Sequence, residues 1–419
     1  MMSKIKKTEM DKEQTIIMSG NYASAWGAKC SRVKVVSAYP ITPQTTVVEK
    51  LADFVEGGEL DARYIKVESE HSVMASLVGS SMTGARSFTA TSGQGLLYMT
   101  EMLHWVSSSR LPIVTTIASR GIAPPWNIWA EYTDILSVRD CGWIIQFAST
   151  HQEIFDSILM GYKIAENEGV MLPYFIVYGG FTQSHTSKPV RIPPQKDIDG
   201  FLPSPPEKGW SHLNLDPENP ITHGNLLMPQ QEYLDFRFLI HDAMMKSKKV
   251  IQKTITEFKK SFKRNYSGLT ENYKCKDADV VLISYGALAE QSKIAVDELR
   301  KQGKKVGLFK LRYIRPFPNE ELEELFNSGV KAIGIADQGT AFGNPTGGPI
   351  STEVMSLLRL SGKKIKVLPY VWGLGGRDVT VDEQIHVFNQ LITLKNKNQY
   401  PTDDTFQHGT VWMGLKTGA

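Results

Sequence analysis

The sequence predicts an α/β protein, a doubly wound parallel sheet followed by a second, smaller α/β unit, and three observations carry that prediction. Strand-like runs alternate with helix-like runs from Val33 onward, the tempo of parallel strands joined by crossover helices. Polar or glycine-bearing turns recur where a strand-like run hands over to a helix, at residues 39–46, 68–71, 92–95 and 119–121. In open parallel sheets ligand crevices lie at such junctions. A Pro-rich stretch then separates the first set of alternations from a second, shorter set.

Taken in order, residues 1–15 are polar and Lys-rich with no apolar segment behind them, so neither a signal peptide nor a transit helix is expected. Residues 19–32 read as a short helix with Ala23, Ala25, Gly27 and Ala28 on a small-residue face and Ser19 as an N-cap. The apolar run 33–38 reads as a strand. Beyond it Pro40 and Pro43 fix φ and push the residues before them out of the α region, which holds Thr42 in an extended turn. Thr42 thereby presents a hydroxyl, either as a helix cap or as a ligand group. A helix at 47–54 ends at Gly57 and Gly58, and a strand at 64–67 leads into Glu68-Ser-Glu-His71 and a small-residue helix over 72–84. A strand at 87–91 leads into Ser92-Gly-Gln-Gly95 and an apolar helix through Trp105. A strand at 111–118 leads into Ser119-Arg-Gly121 and a stiff loop through Pro124, Pro125 and Trp126. Strands at 143–147 and 174–178 flank a helix at 151–168.

From 182 to 229 prolines cluster and periodicity is lost; so long a loop is expected to wrap over a surface, a partner's included. An amphipathic, Lys-rich helix over 231–261 completes the first part of the chain, 1–265. In the second part, 266–395, strands at 279–284, 305–310, 332–336 and 365–370 alternate with helices at 288–302, 320–328, 350–360 and 381–394. Residues 396–419 read as a polar tail.

With 419 residues, 41% of them hydrophobic and 22% charged, the chain has the composition of a globular protein of about two domains. A net charge of +3 with short, scattered basic runs argues against nucleic acid or an anionic membrane as partner. No window approaches ~18 apolar residues, so a cytoplasmic protein is expected. Cys30, Cys141 and Cys275 are far apart and form no C-x-x-C, which predicts free, buried thiols and no disulfide, zinc or iron–sulfur site on this chain. The loop Ser92-Gly-Gln-Gly95 lacks G-x-G-x-x-G spacing and no Walker pattern occurs, so nucleotide binding of either kind is not expected. The glycines at 343–348 and 373–376 read as tight turns.

The motifs Ala38-Tyr-Pro-Ile-Thr-Pro43, Val67-Glu-Ser-Glu-His71, Thr89-Ala-Thr-Ser-Gly-Gln-Gly-Leu-Leu97, Arg110-Leu-Pro-Ile113 and Asn127-Ile-Trp129 run in order along the chain. Arg139-Asp-Cys-Gly-Trp143, Gly180-Phe181 with Ser184-His185, Leu311-Arg-Tyr-Ile-Arg-Pro-Phe317 and Gly373-Leu-Gly-Gly-Arg-Asp-Val-Thr380 follow. Together they resemble the alpha subunit of a 2-oxoacid:ferredoxin oxidoreductase, pyruvate type. The resemblance implies a pyrimidine-binding-like domain of thiamine enzymes followed by a transketolase C-terminal-like domain. It implies oxidative decarboxylation of pyruvate or a close 2-oxoacid to acyl-CoA and CO2, with electrons passed to ferredoxin. It also implies thiamine diphosphate shared with a beta subunit that bears the diphosphate and magnesium site and a [4Fe-4S] cluster, and further gamma and delta-type subunits. This sequence has no Gly-Asp-Gly, in keeping with half of a shared site.

By the resemblance, Glu70 is the carboxylate on N1' of the aminopyrimidine; its alternative is an acid complementing a helix dipole, a role that also suits Glu68. Burial against an apolar ring is expected to raise the Glu70 pKa, as a proton-cycling group requires. Thr42 matches the threonine that hydrogen-bonds the 2-oxoacid and Arg120 the arginine that clamps its carboxylate, the alternative for Arg120 being a structural ion pair. The two are expected to meet at adjacent strand ends. Tyr39 and Pro40 are expected to shape the cofactor pocket, and His71 to be a structural histidine. The chain departs from the family pattern at Ser119, Gly93, Gly179 and the proline-rich turn 121–126, which keeps other 2-oxoacids (oxalate, 2-oxoisovalerate, 2-oxoglutarate) open. A non-oxidative, transketolase-like thiamine component is the reading from another enzyme class.

Overall fold

A computed structural model describes residues 12–205, 215, 218 and 220–416. In chain order the first half forms β1 (Gln14–Ser19), α1 (Gly20–Cys30), β2 (Val35–Ala38), α2 (Thr45–Glu56), β3 (Arg63–Lys66), α3 (Glu70–Met82), β4 (Ser87–Thr91), α4 (Gly93–Tyr98) and α5 (Thr100–Ser108). It continues with β5 (Val114–Ser119), α6 (Thr133–Ser137), β6 (Ile144–Phe147), α7 (His151–Ala165), β7 (Tyr174–Gly179), β8 (Ser187–Ile192), α8 (Gln195–Phe201) and α9 (Tyr233–Phe262). The second half adds β9 (Thr270–Tyr273), β10 (Val280–Tyr285), α10 (Gly286–Lys301), β11 (Val306–Leu311), β12 (Tyr313–Arg315), α11 (Asn319–Asn327), β13 (Ala332–Asp337), α12 (Pro349–Ser361), β14 (Lys366–Val371), α13 (Val381–Lys397), β15 (Phe406–Gln407) and β16 (Thr410–Trp412).

Two seven-stranded sheets dominate, one ordered β12-β6-β7-β5-β4-β2-β3 and the other β15-β16-β14-β13-β10-β11-β9. Within the first, every pairing except that of β12 is parallel, so the carboxyl ends of β2 to β7 share one edge. The chain leaves β2 for β3 on one side and returns to β4 on the other, which makes the β2/β4 boundary the switch point where doubly wound sheets open a crevice. The central strands β4, β5 and β7 are buried along their whole length, as strands covered by helices on both faces must be.

One core lies on the face under α1, α2, α7 and α9, with Leu51, Phe155, Ile158 and Phe258 among its members. The core on the opposite face is common to both sheets, bringing Phe147 and Phe175 of the first, with Tyr132 at the start of α6, together with Tyr285, Phe309 and Ile335 of the second. Tyr132 meets Phe147 at 4.9 Å and Phe147 meets Tyr285 at 4.7 Å between ring centroids. A third core fills the outer face of the second sheet beneath α10 and α13.

Several elements differ from the sequence expectation. The stretch after Thr182 is not featureless: β8 pairs antiparallel with β1 in a separate two-stranded ribbon, and α8 follows. Residues 206–214, 216, 217 and 219 lie outside the described residues. The apolar helix expected through Trp105 is broken into α4 and α5 at Met99. The polar tail is also structured in part, since β16 pairs parallel with β14 and β15 folds back on it. These strands escaped the sequence reading because each is two to six residues long and lies in the ribbon or at a sheet edge, where too few positions exist for an alternation to register. Finally β12, although it follows β11 of the second sheet, pairs with β6 and completes the first.

Candidate active site

The turn after β2 is held from below. Asn21 of α1 donates through Nδ2 to the Pro43 carbonyl (2.6 Å) and to Thr46 Oγ1 (2.8 Å), while Tyr178 donates its hydroxyl proton to Asn21 Oδ1 (2.8 Å). Gln44 Nε2 donates to the Tyr39 carbonyl at 3.0 Å. Pro43 reaches further across the edge: a methyl group on Gly180 would stand 3.0 Å from Pro43 Cγ and 2.9 Å from the Ser119 carbonyl. Glycine at 180 therefore lets the turn after β2 close against the end of β5. Thr42 is exposed at the tip of this turn, as is Pro40, with Tyr39 half-buried.

Glu70 opens α3, whose cap is Ser69 accepting from the Ser72 amide at 3.2 Å. It is only 7% exposed, and burial raises the pKa of its carboxyl, a bond from its own backbone N–H and the charge of Arg120 pulling the other way. Glu68, by contrast, is exposed and bonded to the Ser72 hydroxyl, which holds its pKa below the usual range. Glu70 is also the acidic residue in the first turn of α3, where a carboxylate complements the helix dipole. The same carboxyl accounts for glycine at 95: a methyl group there would lie 2.6 Å from Glu70 Oε1 and 2.6 Å from Thr91 Oγ1. His71 is partly exposed and lies 3.4 Å from Glu101 Oε2.

Arg120 follows β5 and is 3% exposed. The loop 121–129 folds back on its guanidinium: Nη1 donates to the Asn127 carbonyl at 3.0 Å and to that of Gly121 at 3.4 Å, and the Trp126 ring lies 6.0 Å away. Its Nε is buried with no hydrogen-bond partner. Buried donors are almost always paired, so a buried guanidinium N–H with no acceptor in the chain is unusual. A methyl on Gly93 would come within 2.9 Å of that Nε, and burial lowers the Arg120 pKa while Asp134 and Glu70 oppose the fall. The first turn of α4, between Gly93 and Gly95, therefore runs between the Arg120 guanidinium and the Glu70 carboxyl. The hydroxyls of Thr91 and Ser92 beside it are also buried without partners.

The 121–131 loop is gripped from the second sheet. Asn127 Nδ2 donates to the Gly375 carbonyl at 3.1 Å, and the amides of Gly375 and Gly376 donate to Glu131 Oε2 (3.0 Å) and the Ala130 carbonyl (2.8 Å). Gly375 and Gly376 have φ of 58° and 74°, and a methyl on Gly376 would stand 2.3 Å from Trp129 Cβ. This glycine turn is thus a docking surface for the loop that carries the candidate site's Arg120 partners. A cavity of about 300 Å³ lies elsewhere, among Glu153, Lys310, Arg312, Glu271, Glu290 and Lys293, where cations and carboxylates pair with one another.

Of the sequence candidates, Glu70 and Arg120 come together, and Thr42, Tyr39 and Pro40 line the same edge from β2. One expectation fails: β4 lies between β2 and β5, so Thr42 and Arg120 do not stand on adjacent strand ends. Asp134 of α6 was missed altogether. It is fully buried and accepts from Ser119 Oγ, the Gly93 amide (2.9 Å) and the Arg120 amide (3.2 Å). Burial pushes its pKa up to about 6. The only sequence signal was an Asp set directly before the apolar pair Ile135-Leu136.

Residues 26–255 match the profile described as pyruvate flavodoxin/ferredoxin oxidoreductase, thiamine diP-binding, and residues 278–384 match pyruvate:ferredoxin oxidoreductase core domain II. The chain belongs to the 2-oxoacid:ferredoxin oxidoreductase family. Among relatives in that family, the pyruvate synthase subunit PorA of Methanocaldococcus jannaschii is 44% identical over 401 residues, 96% of this chain and 98% of the relative. The ketoisovalerate oxidoreductase subunit VorA of Pyrococcus horikoshii is 48% identical over 365 residues, 87% of this chain and 90% of the relative. Among solved structures, a 2-oxoglutarate:ferredoxin oxidoreductase from Magnetococcus marinus superposes with a TM-score of 0.65 at 20% identity. It covers 90% of this chain, and this chain spans 65% of that one. A split-gene transketolase superposes with a TM-score of 0.53 at 12% identity, over 90% of this chain and 99% of that one. Both likenesses concern the fold, the thiamine-enzyme α/β architecture. Among the described residues no helix is long and apolar enough to cross a membrane.

Proposed function

We propose that this chain is the alpha subunit of a 2-oxoacid:ferredoxin oxidoreductase that converts pyruvate to acyl-CoA and CO2, and that it contributes the aminopyrimidine side of a shared thiamine diphosphate site. The observation that carries the reading is the buried Glu70 carboxyl with its raised pKa, set across one turn of α4 from an arginine with an unpartnered, buried Nε. These residues fit the group: a buried carboxyl whose pKa is raised by desolvation suits N1' of an aminopyrimidine, and an unpartnered guanidinium Nε suits a carboxylate. When bound, thiamine diphosphate supplies the nucleophilic carbon and the electron sink that decarboxylation requires. Glu70 would hold and return a proton at N1', Tyr39 and Pro40 would shape the pocket for the ring, Arg120 would clamp the substrate carboxylate and Thr42 would bond a substrate oxygen. A branched 2-oxoacid is the second reading, favoured by the 48% identity to a ketoisovalerate oxidoreductase subunit.

Magnesium, the diphosphate site and the [4Fe-4S] clusters are assigned to partner subunits, a beta chain and gamma and delta-type chains, with coenzyme A and ferredoxin as co-substrates. The sequence has no Gly-Asp-Gly, and among the described residues no group of three or more His, Cys, Asp or Glu side chains is gathered for a metal. Exposed apolar residues support a partner: Tyr233, Leu234, Phe236, Phe238 and Leu239 are all exposed at the start of α9, and a helix end apolar on every side belongs inside an interface. Cys30, Cys141 and Cys275 are free and buried, compatible with the reducing cytoplasm in which we set the reaction.

The test is to purify the assembly and measure ferredoxin reduction dependent on coenzyme A, with pyruvate and 3-methyl-2-oxobutanoate as rival substrates. Higher kcat/KM for pyruvate supports the first reading and the reverse supports the second; no reduction with any 2-oxoacid overturns both. The isolated chain is expected to bind thiamine diphosphate weakly and to gain tight, magnesium-dependent binding only with its partner. Calorimetry giving tight binding to the lone polypeptide would refute the shared site.

Arg120→Lys in the assembly is expected to raise the KM for the 2-oxoacid on the order of 10-fold, because an ammonium cannot reproduce the planar, two-pronged contact of a guanidinium. The KM for coenzyme A should stay within twofold. Steady-state kinetics decide it, and an unaltered kcat/KM for every 2-oxoacid would make Arg120 structural.

A further inference from the structure

Asp134 belongs to a five-residue helix, α6, yet its two oxygens collect donors from three separate segments. Oδ2 accepts from the Gly93 amide at 2.9 Å and the Arg120 amide at 3.2 Å, and Oδ1 accepts from the Ser119 hydroxyl and from the Ile135 amide at 2.7 Å. The Ser119 hydroxyl is also 2.8 Å from the Glu131 carbonyl. The carboxylate is fully buried, and the charged or titratable groups facing it are Arg120 from the end of β5 and Tyr132 from its own segment. A buried carboxylate is costly to keep, and four donors aimed at it are the kind of compensation that retains one. Three of these donors share a position: Ser119 ends β5, Arg120 follows it, and Gly93 begins the turn of α4 that passes between Arg120 and Glu70.

We propose that Asp134 is a positioning residue for substrate binding, its carboxylate locking the backbone at Arg120 to the backbone at Gly93 so that the open Nε edge of the guanidinium is held at the crevice. The guanidinium itself is fixed on its other side by the Asn127 and Gly121 carbonyls, so the backbone anchor sets where the free edge points. Ser119, one of the departures from the family pattern, is then part of the device, as a hydroxyl donor to the anchoring carboxylate. The proposal rests on the reading of Arg120 as the clamp for the 2-oxoacid carboxylate.

Asp134→Asn keeps the shape but places an NH2 among donors, whichever way the amide is turned. In the assembled enzyme it is expected to raise the KM for the 2-oxoacid about 5- to 10-fold while the KM for coenzyme A stays within twofold. Ser119→Ala removes one donor, leaves the carboxylate in place and is expected to shift the same KM about 2- to 3-fold, so that the test survives if Asp134→Asn does not assemble. Arg120→Lys serves as reference. If it raises the 2-oxoacid KM while Asp134→Asn and Ser119→Ala do not, the positioning role is wrong and the clamp stands. If the Asp134 and Ser119 variants raise the KM values for the 2-oxoacid and coenzyme A equally, with a lowered melting temperature, Asp134 is a packing residue and the proposal fails. If Arg120→Lys has no effect on any KM, the clamp itself is misassigned and the proposal falls with it.

Discussion

Glu70→Gln is expected to lower kcat of the assembled enzyme on the order of 10²-fold, as for removal of a positioned acid–base group, without dissociating the subunits. The amide has nearly the volume of the carboxyl, so packing against Gly95 and Thr91 persists; what is lost is the ability to hold and return a proton. Burial raises the pKa of this carboxyl, with its own backbone N–H and Arg120 opposing. Exchange of the C2 proton of bound thiamine diphosphate should slow in parallel with kcat, followed by NMR in deuterium oxide. Glu68→Gln is the control, since that side chain is exposed and turned to Ser72; it should retain activity within about twofold. Normal C2 exchange in the Glu70 variant would take the proton-cycling role from this residue.

Gly95→Ala should be nearly as damaging, although it adds one methyl group and removes nothing. The methyl would sit 2.6 Å from both Glu70 Oε1 and Thr91 Oγ1, well inside contact distance, and Thr91 on the fully buried β4 has no room to withdraw. The Glu70 carboxyl must therefore move by about an ångström, and a catalytic group misplaced by that much loses on the order of 10²-fold. The loss should appear in kcat and in thiamine affinity together, with a melting temperature lowered by the crowding at Thr91. Activity within threefold of the parent would mean that Glu70 works from a different rotamer than the one described.

The central strands were legible because their chemistry is redundant. In β4 and β5 every residue is buried, so an apolar or small-residue run bounded by turn residues announced them, and β4 begins and ends where the sequence placed it. Glu70, Arg120 and Thr42 drew notice in the sequence because they lie in motifs of the family at the junctions after β3, β5 and β2, and their roles remain proposals. Asp134 was not, because its meaning resides in partners 15 and 41 positions away in sequence, and nothing within α6 itself reports them. Asn21 escaped for the same reason: the Pro43 carbonyl that it holds is 22 residues along the chain. The expectation that Thr42 and Arg120 share neighbouring strands failed on strand order, which hydrophobic patterning does not encode.

The pairing of β12 with β6 bears on how the molecule comes apart. Tyr313 faces Gln146 across that pairing, its hydroxyl bonded at 2.7 Å to the hydroxyl of Tyr174 on β7, so three residues from the far half seal the rim of the near sheet. Denaturation should accordingly be a single cooperative event spanning both sheets, with amide protons of β6 and β10 exchanging at the same rate under native conditions. A chain severed between residues 265 and 266 would leave the β6 edge bare and the Tyr132 and Phe147 rings uncovered, a template for self-association. The halves are expected to remain soluble only when expressed together.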